Sequence, residues 1–419
     1  MKLARLLPCR AVAVLALLFA GAVAAPTAGA QQSAAAPAAP LAPAVEISST
    51  VSYQLVGRLD IDALNTILNV DTPKFFGIEV AYTPATNAVR LYRVTYASVV
   101  PEQGNRPTRA SGLLAVPEVE ATRLPLVSYQ HGTVYGKEQV PSFADQSPET
   151  QLMIAQFAGQ GYLLIGADYF GLGTSAEPEG YMVKASHQQA TQDMLAAGRA
   201  VIAHLGLADD GLYLGGWSQG GFVTLAMLER LEKSGTPVKA TATASAPIDV
   251  FAALNGFLSY PRANDADWVN SLFILSAFSF ENYYGVPGLA RSLIRDEHYE
   301  MARKAYAREP VDPTKIPTDL HELLNAEYFD ARFFAASAYG RLVAETQVYR
   351  WLYQTPVRTY YGEADEAIAT GLGRLAMTYQ QAMGAGNAKV EAVTTGPTSH
   401  RGTFASAVPE WKIWFDSLH

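Results

Sequence analysis

Leu212-Tyr213-Leu214-Gly215-Gly216-Trp217-Ser218-Gln219-Gly220-Gly221 is the stretch on which the fold turns. Leu212 to Gly215 reads as a buried apolar strand, and the apolar run from about Gly221 to Leu231 reads as a helix. Between them, Gly216-x-Ser218-x-Gly220 leaves room only for a sharp turn. A serine at the tip of such a turn sits in strained backbone, and side chains two residues to either side would collide, so both glycines are needed. The helix that follows aims its first N–H groups and its dipole toward the serine. The spacing singles out Ser218 as a candidate nucleophile, with the amide of Gln219 beside it.

Outward from this elbow, short β-rich runs alternate with helical ones, the pattern of a mostly parallel sheet flanked by helices. Antiparallel-looking strands open the body at Val89–Val99 and Arg109–Val116, and Leu124–Tyr129 follows. A helix near Glu149–Ala158, a strand at Tyr162–Ala167 and a helix at Gln188–His204 lead into the elbow. After it come a strand at Val238–Ala246 and, much later, one at Val357–Tyr361, a helix at Gly371–Met383, a strand at Lys389–Val393 and a last helix toward Leu418. Residues 248–354 break the rhythm with aromatic, helical sequence and are expected to be a helical insertion between the sixth and seventh strands. The core is then residues 45–247 together with 355–419.

A serine hydroxyl is a poor nucleophile at neutral pH and needs a base. His400, in Thr398-Ser399-His400-Arg401-Gly402, sits in a loop after the final strand and is the candidate. Asp365 ends the seventh expected strand in Gly362-Glu363-Ala364-Asp365-Glu366. A carboxylate there would fix the imidazole tautomer, and Glu363 and Glu366 are its rivals. The chain order Ser218, Asp365, His400 and the spacing from Gly362 favour Asp365. Gln130-His131-Gly132-Thr133 ends another strand. Backbone N–H groups of Gly132 or Thr133, with that of Gln219, are the candidate donors to an oxyanion. Tyr169, Trp217 and His131 are candidates to line a substrate pocket, His131 more as a shaper of backbone. Asp168 reads as a buried acceptor.

The motifs Ser128-Tyr129-Gln130-His131-Gly132, Ala167-Asp168-Tyr169-x-Gly171-x-Gly173 and Gly216-x-Ser218-x-Gly220, with the insertion before Asp365, resemble the α/β-hydrolase superfamily. More narrowly, they resemble bacterial secreted esterases and the secretory lipases of fungi. The resemblance runs from about Val89 to the end but not through the insertion. It implies an α/β fold with an eight-stranded, mostly parallel core, a helical lid after strand six, and action on carboxylic esters through an acyl-enzyme. Trp268, Leu272, Phe273, Leu275, Phe278 and Phe280 form a nearly all-apolar helical run in that insertion, which favours an ester with a hydrophobic acyl chain. Two rivals remain: a serine peptidase of the same fold, and a binding protein on this scaffold that would lack one of the three residues.

The ends and the composition bound the rest. Lys2, Arg5 and Arg10, an apolar run from Ala11 to Ala20 and Ala28-Gly29-Ala30 describe a signal peptide of residues 1–30, and so export to the periplasm or medium. Residues 31–44 are an Ala/Pro-rich linker. The single cysteine, Cys9, lies in the part removed, which excludes disulfides, thiol nucleophiles and Cys-ligated metals from the mature chain. No metal or cofactor is expected. Losing three basic and no acidic residues takes the formal charge from −8 to −11, with no basic cluster to bind nucleic acid. No later stretch is apolar for long enough to span a bilayer, so the mature protein is expected to be soluble; the partner that the resemblance implies is a small-molecule or lipid ester.

Overall fold

The computed structural model describes residues 42–384 and 388–419. The expected signal peptide and all but the last three residues of the linker lie outside them. The chain forms one twisted sheet in the order β1-β2-β3-β4-β6-β5-β7-β8-β9-β10. Its first part is antiparallel: β1 (Val45–Glu46), β2 (Val51–Leu59), β3 (Val89–Val100) and β4 (Arg106–Pro117), with α1 (Ile61–Thr66) and α2 (Thr72–Phe76) between β2 and β3. β5 (Arg123–Gln130), α3 (Pro148–Gln156) and β6 (Leu163–Ala167) follow, β6 lying antiparallel to β4.

From β6 onward every neighbouring pair is parallel. The chain runs through α4 (Lys184–His204), β7 (Ala208–Trp217), α5 (Gln219–Lys233) and β8 (Ala240–Ala244). Among the described residues the sheet therefore has ten strands, where the sequence implies eight. The difference is the pair β1 and β2. No residue of β2 is fully buried, so it lacks the clean two-residue apolar period that betrays a strand with one covered face.

The inner parallel strands β5 to β8 are largely buried on both faces, and their side chains alternate between two layers. Leu212 and Leu214 join the core under α4 and α5, while Tyr213 between them packs with α3 and the last helix.

Between β8 and β9 (Val357–Tyr361) the chain is helical: α6 (Val250–Ser259), α7 (Asn270–Tyr284), α8 (Leu289–Leu293), α9 (Asp296–Tyr306), α10 (Leu320–Leu323), α11 (Ala331–Ala336) and α12 (Ala338–Glu345). One side of this segment is stitched to the loop after β6. Ser279 Oγ and the Tyr306 hydroxyl donate to Glu179 O (2.8 and 2.6 Å), and Arg308 pairs with the buried Glu179 carboxylate at 2.7 Å. α13 (Thr370–Ala382), β10 (Val390–Thr394) and α14 (His400–Asp416) close the chain. Among the described residues, no helix is long and apolar enough to cross a membrane.

Candidate active site

β7 ends at Trp217 and α5 starts at Gln219, so Ser218 alone makes the turn, at φ 57° and ψ −124°. That left-handed backbone is costly for a residue with a Cβ and persists only where the surroundings fix it. They do. A Cβ on Gly216 would strike Gly220 O and Thr224 Oγ1, and one on Gly220 would run into Gln130 O. The elbow is wedged between its own helix and the end of β5.

His400 is expected in a loop. It is instead the first residue of α14, because Ser399 caps that helix by accepting the Gly402 N–H (3.2 Å). Its backbone N–H is held by Glu366 Oε2 (2.9 Å). The ring points inward. Nε2 lies 2.9 Å from Ser218 Oγ, and Nδ1 lies 3.0 and 3.1 Å from the two oxygens of Asp365.

Asp365 is 2% exposed, and its Oδ1 also accepts the N–H groups of Ala367 and Ile368, each at 2.8 Å. Burial acts to raise its pKa. The His400 ring and the Ile368 N–H outweigh burial and hold the carboxyl below the usual range. Neither rival carboxylate reaches the ring: Glu363 is exposed at Thr394, and Glu366 is spent on the His400 backbone.

The expected oxyanion donors divide. Gln219 and Thr133 N–H have no partner among the described residues. Gly132 N–H does not stay free, because it donates to the buried carboxyl of Glu149 at 2.9 Å. A donor already held by a carboxyl is not one waiting for an oxyanion, so Gly132 drops out.

The three expected pocket residues also need correction, because their polar ends are used inside the protein. The Tyr169 hydroxyl donates to His131 O (3.0 Å). The His131 ring stacks on Tyr169 at 4.1 Å with its nitrogens 2.7 Å from Gly132 O and 3.2 Å from Asp168 O. Burial pushes His131 down to about 4 and keeps it neutral. Trp217 donates to His400 O (3.1 Å) and stacks on Phe404, bracing the histidine from behind. All three build the wall and none lines the opening. Asp168 is a buried acceptor for Ser111 Oγ (2.5 Å) and Ser142 N–H (2.9 Å).

The space in front of Ser218 is an apolar cleft roofed by the helical segment. Tyr181, Met182, Leu254, Phe257, Trp268 and Leu272 line it with Ser218. Only about 30 Å³ is open to water, room for one or two molecules. Trp268 reaches within 5.7 Å of the His400 ring. Trp268 and Leu272 carry the apolar signal read in the sequence, whereas Leu254 and Phe257 on α6 do not stand out from a buried helix. Among the described residues, no group of three or more His, Asp, Glu or Cys could hold a metal ion.

Neither a family model nor a curated protein sequence matches this chain. Solved structures do. The rice cell wall degrading esterase LipA from Xanthomonas oryzae is 22% identical, with a TM-score of 0.73 over 88% of this chain and 98% of that one. A Legionella pneumophila protein gives a TM-score of 0.75 at 20% identity, over 90% and 98% of the two chains. Candida antarctica lipase A gives 0.56 at 13% identity, over 83% and 77%. At such identities the likeness speaks for architecture, and with a helix-flanked, largely parallel sheet carrying Ser218 at its strand-to-helix elbow, it gives the conclusion that this chain has the α/β-hydrolase fold.

Proposed function

We propose that the protein is an exported serine ester hydrolase acting through an acyl-enzyme on Ser218, on esters with a hydrophobic acyl chain. One observation carries the reading: an unbroken line of hydrogen bonds from Ser218 Oγ through the His400 ring to Asp365, opening onto an apolar cleft. The presence of an esterase and a lipase among solved structures of the same fold agrees with it.

In this mechanism His400 Nε2 takes the Ser218 proton as Oγ attacks the ester carbonyl carbon. Asp365 stabilises the imidazolium and keeps Nδ1 protonated. The carbonyl oxygen gains negative charge and is met by the N–H groups of Gln219 and Thr133, each donor typically worth ~10²–10³ in rate. His400 returns the proton to the departing alcohol, then activates water to release the acid and free Ser218. The acyl chain lies in the cleft between α6 and α7. The cleft is too small for a drug-sized ligand, whose pockets hold roughly 300–1,000 Å³. Residues 248–354 therefore act as a lid. Residues 1–30 direct export, and 31–44 tether the core of 45–247 and 355–419.

The test is initial rates on p-nitrophenyl esters from acetate to palmitate, with and without detergent micelles, beside peptide anilides. Ester turnover that rises past acetate, with no anilide cleavage, is the expected result. Cleavage of anilides alone would make the protein a peptidase, and turnover of neither would leave a binding protein.

A further inference from the structure

Acidic residues in the first turn of a helix are common and usually solvated, where they complement the helix dipole. Glu149, in the first turn of α3, is instead only 6% exposed and has no ion-pair partner among the described residues. Burying a lone carboxyl is costly unless hydrogen bonds meet it. Two do: the Tyr129 hydroxyl, in a very short contact, and the Gly132 N–H, 2.9 Å from Oε1 and 3.2 Å from Oε2.

The Gly132 backbone is pinned between that carboxyl and Trp217, the residue before the nucleophile. A Cβ there would lie 3.3 Å from Glu149 Oε2 and 3.2 Å from Trp217 Cε3. The N–H of the next residue, Thr133, has no partner among the described residues. Its hydroxyl lies 3.2 Å from that of Tyr181, which lines the cleft with Ser218.

We infer that Glu149 is a positioning residue: it clamps the Gly132 peptide inward so that the Thr133 N–H is presented to the oxyanion. The inference rests on the ester-hydrolase reading and deepens it. It also explains why a carboxyl is tolerated so near a site that develops negative charge. Burial pushes Glu149 up to about 8, so it is largely neutral at pH 7. The ionisable groups around it are Tyr129 on β5, Tyr169 after β6 and His131. Burial raises both tyrosines well above 10 and holds the histidine uncharged, so none of them supplies a charge. Above about pH 8 the ionised carboxylate would repel the oxyanion.

The test uses full-length mature enzyme as wild type, Glu149→Ala, Glu149→Gln and Tyr129→Phe, with active sites counted by a fluorophosphonate. Glu149→Ala is expected to lower kcat by ~10–100-fold with KM within about threefold, since a donor is lost in the transition state only. Glu149→Gln, which still accepts from Gly132, is expected to keep kcat within about fivefold. It should also lose the decline of kcat above about pH 8 that is expected of wild type. Tyr129→Phe, which leaves the Gly132 bond, is expected to stay within about threefold. An unchanged kcat in Glu149→Ala, or an equal loss in Tyr129→Phe, overturns the inference. Should Glu149→Ala not fold, the Gln variant decides, and an alkaline decline identical to wild type overturns it. A wild type that cleaves no ester refutes the functional reading instead. The clamp is then judged by the rate of fluorophosphonate labelling at Ser218, and a rate unaltered by Glu149→Ala or Glu149→Gln, or no labelling of wild type at all, rejects it.

Discussion

The two sides of the cleft are built by opposite means. On the sheet side, directional constraints fix the groups: Ser218 is forced to positive φ, Gly216 and Gly220 admit no side chain, Asp365 is held by two N–H groups, and the His400 ring is held by Asp365. On the facing side, Leu254, Phe257 and Leu272 meet the cleft through apolar contacts alone, which have no direction and tolerate exchange of similar volumes. The contrast places chemistry where geometry is over-determined and selectivity where it is not. Substitutions on the sheet side should abolish turnover whatever the substrate, and those on the helical side should re-rank substrates.

The largest effect is expected at Ser218. Ser218→Ala should lower kcat by on the order of 10⁶ for every ester, read in a burst-free steady-state assay. Ser218→Gly should be equally inactive yet more stable by about 1–3 kcal/mol, because glycine adopts φ 57° without strain. A denaturation midpoint that does not rise would mean that the elbow carries no strain. Next comes Asp365→Asn, which should cost about 10⁴ in kcat with little change in KM, since the amide favours the wrong imidazole tautomer. A loss confined to KM would break the assignment of Asp365 as the orienting acid.

The same contrast explains what the sequence could reveal. Ser218 and its glycines lie within five residues, so local spacing exposes them, and His400 and Asp365 were legible because each follows a strand end. The strands β3 to β10 likewise carry local period or apolar runs. β2 escaped notice because neither face of Val51–Leu59 is fully covered. Glu149 escaped because a glutamate at a helix start looks solvated until Tyr129 and Gly132 are folded onto it. Tyr169, His131 and Trp217 read as pocket residues because they neighbour the motifs in sequence. Which way each side chain faces depends on partners as distant as Phe404.

On the helical side, Ala253→Phe should fill part of the cleft that Ala253 lines. If the acyl chain lies in the cleft as proposed, the substitution is expected to reduce kcat/KM for an octanoate ester by ~10–100-fold and to leave acetate within about threefold. Leu254→Ala should move the preference toward longer chains. Equal losses on acetate and octanoate would erase the distinction between the two sides, because the change would then have reached the chemistry.

The smallest expected effect is on stability, and it probes the floor of the sheet side. His131 and His187 are buried, and burial lowers them to about 4 and about 3. The unfolded chain, with ordinary histidines near 6.5, therefore binds more protons below that pH, and stability falls as pH drops toward the folded values. Glu149 works the other way. Its folded pKa is raised to about 8, so the folded state binds the extra proton, and stability falls as pH rises from about 4.5 to 8. Between pH 6.5 and 5 the two histidines together remove about 3 kcal/mol and Glu149 returns about 2, so these three groups together lower stability on acidification. His187→Leu removes one of the two falling slopes and should leave the denaturation midpoint nearly flat from pH 6.5 to 5. A wild-type midpoint that climbs steadily on acidification would show that these rings are charged in the folded protein, and so that the layer beneath Ser218 is wetter than its packing implies.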